Sequence, residues 1–188
     1  MTSQPQLDEA LLVRKARRGD RAAFDALYRL HAGRVYTLAY RLCGSAPVAE
    51  DITQETFLKM LRFLGGFRED RPLRPWLKQV AAHAAIDRLR RDRLHETDSL
   101  DCRGTEGAVD EVPAAYAGSA DHAAEAERLL RRLAPLPRTL LWLHEMEGWT
   151  HAELGARFGQ SPSWSKSIVS RALGRLRGEL QEDLAPLR

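Results

Sequence analysis

The 188 residues carry 29 basic and 26 acidic side chains, a net charge of +3, with 44% apolar residues. That suits one medium core or two small ones. No run of 18 apolar residues occurs, so no membrane insertion is expected.

The N-terminal stretch MTSQPQLDEALLVRKARRGD has charges inside its only apolar patch and does not read as a signal peptide. Cys43 and Cys102 lie far apart in dissimilar contexts, which favours two thiols in a reducing cytosol over a disulfide. The modest net charge hides an asymmetry. Residues 1–94 hold 18 basic and 11 acidic groups, 95–127 hold one and nine, and 128–188 hold ten and six. Two basic blocks joined by an acidic strap point to nucleic acid.

Leu7 to Arg18 reads as a helix with Leu11, Leu12 and Ala16 on one face, ended by Gly19. Asp20 is placed to cap a long second helix. Its Phe24, Leu27, Tyr28, Leu30, Val35, Leu38, Ala39 and Leu42 recur at helical spacing and read as core. His31, among them, reads as a packing or surface group. A third helix starts around Pro47 and runs to Leu64. Its wheel puts Asp51, Gln54, Glu55, Leu58, Lys59 and Arg62 on one side, and Ile52, Phe57, Met60, Leu61 and Leu64 on the other. The polar stripe is either a solvated face or a surface for a partner.

The loop from Gly65 to Pro75 holds Phe67, Arg68, Arg71 and Arg74, stiffened by Pro72 and Pro75. Aromatics interleaved with arginines suit single-stranded nucleic acid: rings stack on bases and guanidinium groups hold phosphate. Trp76, Leu77, Val80, Ala81, Ala84, Ala85, Ile86 and Leu89 then give an amphipathic helix ending in Arg88, Arg90, Arg91 and Arg93. Cations at that end also suit the helix dipole. Glu96 to Ala120 has no periodicity and reads as a flexible linker.

Beyond Asp121, Ala124, Leu129, Leu130 and Leu133 suggest a helix ended by Pro135 and Pro137, and Arg138 to Glu147 a second, stopped by Gly148. Thr150 to Glu153 is a capping box. A short helix follows, with a turn at Gly159-Gln160. Ser161-Pro162 then opens a last helix to about Glu182. Short helix, glycine turn, longer helix is the helix-turn-helix pattern. Gly155 and Ala156 would let the two helices approach. On the last one Ser165, Val169, Ala172, Leu173 and Leu176 face inward. Ser163, Lys166, Ser167, Ser170 and Arg171 face outward, a mixture suited to groove and phosphate contacts.

The phosphate-cradling glycine loops, HExxH, CxxC and GxSxG are all missing. His144, Glu147 and His151 are interrupted by Gly148 and a cap, which argues against a metal site. No catalytic residue, metal or cofactor is expected, and no small-molecule substrate. A nuclease would need a carboxylate or metal cluster. A stand-alone dimeric regulator would need a dimer-forming helix.

The motifs together resemble the bacterial sigma factors of the sigma-70 family, in the extracytoplasmic-function (ECF) group. AEDITQETFLKMLR resembles the helix that docks on the coiled coil of the largest core polymerase subunit. FREDRPLRPWLKQVAAHAAIDRLRR resembles the segment that melts and reads the promoter −10 element. LPRTLLWLHEMEGWTHAELGARFGQSPSWSKSIVSRALGRLR resembles the part that reads the −35 element and meets the polymerase flap. The resemblance implies an all-α protein of two small domains, 1–94 and 121–188, the second a helix-turn-helix, with an acidic linker at 95–120.

It implies core docking through Asp51, Gln54, Glu55, Leu58 and Arg62. For the −10 element it implies Phe67, Arg68, Arg71, Arg74, Trp76, Lys78, His83, Asp87, Arg90 and Arg91. For the −35 element it implies Ser163, Trp164, Lys166, Ser167, Ser170 and Arg171. Partners would be core polymerase, promoter DNA and an anti-sigma factor, in the cytoplasm, within a stress or envelope response. The chain departs from the family at His83, where Asn is frequent, and in the recognition helix, where Ser165 replaces an inward Val and Ile168 a basic contact. A buried serine hydroxyl needs a partner, for example a backbone carbonyl one turn back, and Trp164 and Ile168 are spaced to pack together.

Overall fold

The computed structural model describes residues 4–67, 71–95 and 128–184. Helix α1 spans Gln4–Arg17, α2 Arg21–Cys43, α3 Ala46–Phe63 and α4 Leu73–His95, with a 3-10 turn at Leu64–Gly66. After a helical turn at 128–131 come α5 Pro135–Glu145, α6 His151–Phe158 and α7 Pro162–Leu184. Every described element is helical, in agreement with the all-α expectation. Among the described residues, 4–40, 45–67 and 71–84 form one compact unit, and 41–44, 85–95 and 128–184 form another. Arg68, Cys102 and the acidic stretch from Glu96 to Ala120 lie outside the described residues.

In the first unit the local rules are obeyed. The N–H groups of Gly19 and Asp20 return to the carbonyls of Ala16 and Lys15 at 3.0 and 3.2 Å, closing α1. Asp20 Oδ1 accepts the Ala23 N–H at 3.1 Å and opens α2. That helix runs unbroken past Gly33, whose carbonyl accepts the Thr37 hydroxyl at 2.8 Å. The centre is filled by Leu27, Tyr40, Met60, Leu64, Leu73 and Leu77. Thr53 and Thr56 are buried among them, with hydroxyls on the carbonyls of Ala49 and Ile52 at 2.7 Å each. Each polar group is thus satisfied one turn back within its own helix. The inner face of α4 is lined by Ala81, Ala82, Ala84 and Ala85, all buried.

Periodicity assigned too much to this core. Tyr28 and Leu30 are exposed, as is Leu11, and Val13 takes the inner place on α1. An apolar arc read from a wheel is wider than the face that neighbouring helices cover. His31 is a packing residue, 2% exposed. Burial holds its pKa below the ordinary histidine value, reinforced by Arg34 and Arg74 and opposed by Glu9. The unfolded chain therefore takes up the proton first as pH falls through about 6.5. The first unit should lose stability below that pH. His31→Phe should flatten the dependence, as urea melts at several pH values would show.

In the second unit Pro135 and Pro137 do not end a helix but stand in the first turn of α5, which stops at Glu145. A missing N–H costs nothing there. Arg138 is 6% exposed, and its guanidinium donates to the carbonyls of Leu130, Arg131 and Leu133 at 2.9, 2.8 and 2.7 Å. It caps the end of the preceding helical turn from the next helix.

Thr150 Oγ1 accepts the Glu153 N–H at 3.2 Å, and Glu153 Oε2 accepts the Thr150 N–H at 2.8 Å, so the capping box is complete. Helix α6 ends at Gly159 in the left-handed region, φ +66, where glycine carries no Cβ penalty. A Cβ on Gly155 would lie 2.8 Å from the Gln160 carbonyl oxygen and 2.9 Å from the carbonyl of Ser161. Gly155 is therefore what lets the turn fold back on α6. Ala156, in contrast, is exposed and takes no part in that approach. Gly155→Ala should destabilise the second unit by about 1–2 kcal/mol despite the better helix propensity of alanine. Chemical denaturation would measure this.

Candidate functional site

Pro47 stands in the first turn of α3, and the helix runs 18 residues with one face on the core. Its opposite face presents Asp51, Gln54, Leu58 and Arg62 to solvent, with Glu55 half-buried and paired to Lys59 at 2.7 Å. Leu58 is 55% exposed. Two further exposed apolar side chains lie at the same end of the helix: Leu61 at 57%, which the wheel put on the other side, and Phe63 at 63%, which it did not single out. Leu58 and Leu61 are three residues apart and therefore neighbours on the helix surface. A carboxylate, an amide and exposed leucines on a rigid helix make a surface with both directional and apolar contacts to offer.

The 3-10 turn delivers Phe67, whose ring meets Trp76 edge-on at 5.6 Å. Both rings are half-buried, so the pair is anchored by packing while keeping an accessible side. Arg71 and Arg74 are exposed beside them. Lys78 and His83 follow on α4, half-buried. Asp87 is half-buried near the end of the helix, and Arg90 and Arg91 are exposed. The Arg91 side chain turns back to the Asp87 carbonyl at 3.4 Å, and Arg88 pairs with Asp92 at 3.0 Å.

On α7, Ser163, Lys166, Ser167, Ser170 and Arg171 are all exposed, as the wheel required. Ser161 caps the helix by accepting the Trp164 N–H at 3.2 Å. The Trp164 ring packs on Phe158 of α6 at 5.3 Å, and Ile168 is buried. Ser165 is completely buried, and its hydroxyl lies 3.3 Å from His151 Nδ1, a side-chain partner on α6 in place of the backbone carbonyl expected. His151 stacks on His144 at 4.0 Å. His144 Nδ1 lies 2.7 Å from the Trp149 carbonyl, which requires a proton on that nitrogen. Burial first, then the neighbouring His144 and Lys166, holds the His151 pKa below the ordinary value. The sequence singles out His151 only as a metal ligand to be set aside, and nothing local announces Ser165 as its partner 14 positions away.

No group of three or more histidine, cysteine or acidic residues is arranged to hold a metal among the described residues. No helix among them is long and apolar enough to cross a membrane.

The family model for Sigma-70 region 2 matches residues 27–94, and that for Sigma-70 region 4 matches 123–176. The RNA polymerase sigma factor CarQ of Myxococcus xanthus is 32% identical over 92% of this chain and 99% of its own length. The chain belongs to the sigma-70 family. This sigma factor is also 31% identical, over 84% of its length and 77% of the relative's, to the ECF RNA polymerase sigma factor SigM of Mycobacterium tuberculosis, which places it in the ECF group. It is a transcription initiation factor rather than an enzyme. Among solved structures, the sigma factor RpoE of Bartonella quintana, in complex with the anti-sigma factor NepR, matches over 84% of this chain and 96% of that one. The identity is 21% and the TM-score 0.49.

Proposed function

We propose that this sigma factor binds core RNA polymerase through α3 and directs it to promoters whose −10 and −35 elements it reads with α4 and α7. The observation that carries this is the exposed α3 stripe of Asp51, Gln54, Leu58 and Arg62, with Glu55 at its edge. It would meet the coiled coil of the largest subunit. Phe67, Arg68, Arg71, Arg74, Trp76, Lys78, His83 and Asp87 would then hold bases of an opened strand. Flipping a base costs a few kcal/mol, offset by contacts in the pocket, so opening would need no ATP.

Residues 1–94 would form the −10 domain and 121–188 the −35 domain that also meets the flap. The acidic 95–120 would thread a polymerase channel meant for nucleic acid. Ser163, Trp164, Lys166, Ser167, Ser170 and Arg171 would face the −35 element, with Lys166, Ser170 and Arg171 its main contacts. The protein would act in the cytoplasm, in a stress or envelope response, silenced by an anti-sigma factor.

In vitro transcription with purified core polymerase tests this. Specific transcripts from a subset of templates, with −35 protection in footprints of the holoenzyme, are expected. A protein that neither binds core nor starts transcripts overturns it. Arg90 and Arg91 act as phosphate contacts. Arg90→Ala with Arg91→Ala should weaken promoter binding and reduce the salt slope by about 2. An unchanged slope in a salt titration would return both residues to the helix dipole.

A further inference from the structure

Helix α1 touches both ends of the segment between α3 and α4. Arg17, on its last turn, donates to the Gly65 carbonyl at 2.9 Å, inside the 3-10 turn that precedes Phe67. Glu9, two turns earlier, accepts the Leu73 N–H at 3.1 Å with Oε1. Leu73 is the first residue of α4, so Glu9 serves as an N-cap from 64 positions away. The first N–H groups of a helix have no partner within it, and Pro72, just before Leu73, has no hydroxyl or carboxylate with which to cap them. The other oxygen of Glu9, Oε2, lies 3.6 Å from Nε2 of His31, too far for a hydrogen bond. Both anchoring residues precede residue 27, where the region 2 match begins.

We infer that α1 is a brace for the −10 segment. Arg17 fixes where the segment leaves α3, Glu9 fixes where it enters α4, and Phe67, Arg71 and Arg74 are thereby presented in one geometry. Glu9 and Arg17 are positioning residues that touch no DNA. The inference rests on the proposed −10 role of this segment. Its physical content is pre-organisation. A segment pinned at both ends loses less freedom when it captures an unstacked base. More of the capture energy is then left to open the duplex. Removing the pins should cost most where the duplex must be opened, and little where the strands are already apart.

The test uses the reconstituted holoenzyme with the full chain. Its template is a promoter on which the wild-type protein initiates, as closed duplex and with a mismatched, preopened −10 bubble. Arg17→Ala with Glu9→Ala should lower initiation on the duplex by about tenfold. On the bubble the loss should be within about twofold, with core affinity unchanged. Glu9→Gln keeps an oxygen to accept the Leu73 N–H and should recover most of the duplex activity lost in Glu9→Ala. Arg17 is exposed, so Arg17→Ala alone, with an unaltered melting curve, keeps the test readable if Glu9→Ala folds poorly. Equal losses on duplex and bubble, or none on either, overturn the brace. If no promoter supports initiation by the wild-type holoenzyme, the sigma reading of the −10 segment itself is overturned.

Discussion

Asp51→Ala, Gln54→Ala and Leu58→Asp combined should weaken binding to core RNA polymerase by about 100-fold and leave the fold intact. A few residues carry most of the energy of an interface, typically 2 kcal/mol or more each when truncated. The α3 stripe has the composition for that: a carboxylate and an amide for directional bonds, and an exposed leucine to exclude water from them. All three side chains are exposed, so their replacement should change stability by less than about 0.5 kcal/mol. Equilibrium titration of labelled protein with core polymerase, beside a thermal melt, separates the two effects. Unchanged affinity would make the stripe an ordinary solvated face.

Arg138→Met should destabilise the second unit by about 3 kcal/mol. The guanidinium serves three carbonyls at 2.7–2.9 Å from a nearly buried position. Methionine fills much of the volume but removes this donor from all three carbonyls, of which that of Leu130 keeps the Leu133 N–H at 3.1 Å. Retention of the volume makes the loss one of hydrogen bonding rather than of a cavity. A denaturant midpoint that moves by less than a third of the expected amount would mean that water reaches the carbonyls instead. Helix-turn-helix signatures further along, such as the α6 capping box, should persist in the destabilised protein until the whole unit melts.

The contrast between these regions shows what a sequence carries. Helix ends were legible wherever the rule is local. Gly19, Asp20, Thr150 with Glu153, Gly159 and Ser161 each act on a backbone group within a few residues. The outward face of α7 was legible for the same reason: a regular helix turns a wheel into a surface.

What escaped was non-local. Arg138 is of a residue type that is seldom buried, and nothing in its neighbourhood announces three carbonyl partners. The bonds from Glu9 to Leu73 and from Arg17 to Gly65 span 64 and 48 positions. Pro135 and Pro137 read as a stop because proline ends helices as readily as it begins them, and only the chain before it decides which. Leu61 falls on the apolar side of the wheel yet is exposed, because the wheel does not tell how much of an apolar arc a neighbour will cover. The solvent-facing stripe of α3 is legible from the wheel, while the docking role proposed for it rests on resemblance. Ser165 was singled out as needing a partner, and the partner was found on the adjoining helix instead of one turn back.

The alanine lining of α4 bears on how such a protein can change its habits. Ala81, Ala82, Ala84 and Ala85 have no rotamers to freeze and no volume to spare. Nearly any larger residue there would push the neighbouring helices apart. Between and beside them sit Lys78, His83, Arg90 and Arg91, whose side chains are partly or fully open to solvent. One helix thus carries two populations of positions, one fixed in size by burial and one that meets solvent. Heritable variation would be channelled to the second population. Under the proposed −10 role, a lineage could drift toward new promoters by altering Lys78 or His83 while the scaffold that holds them stays the same.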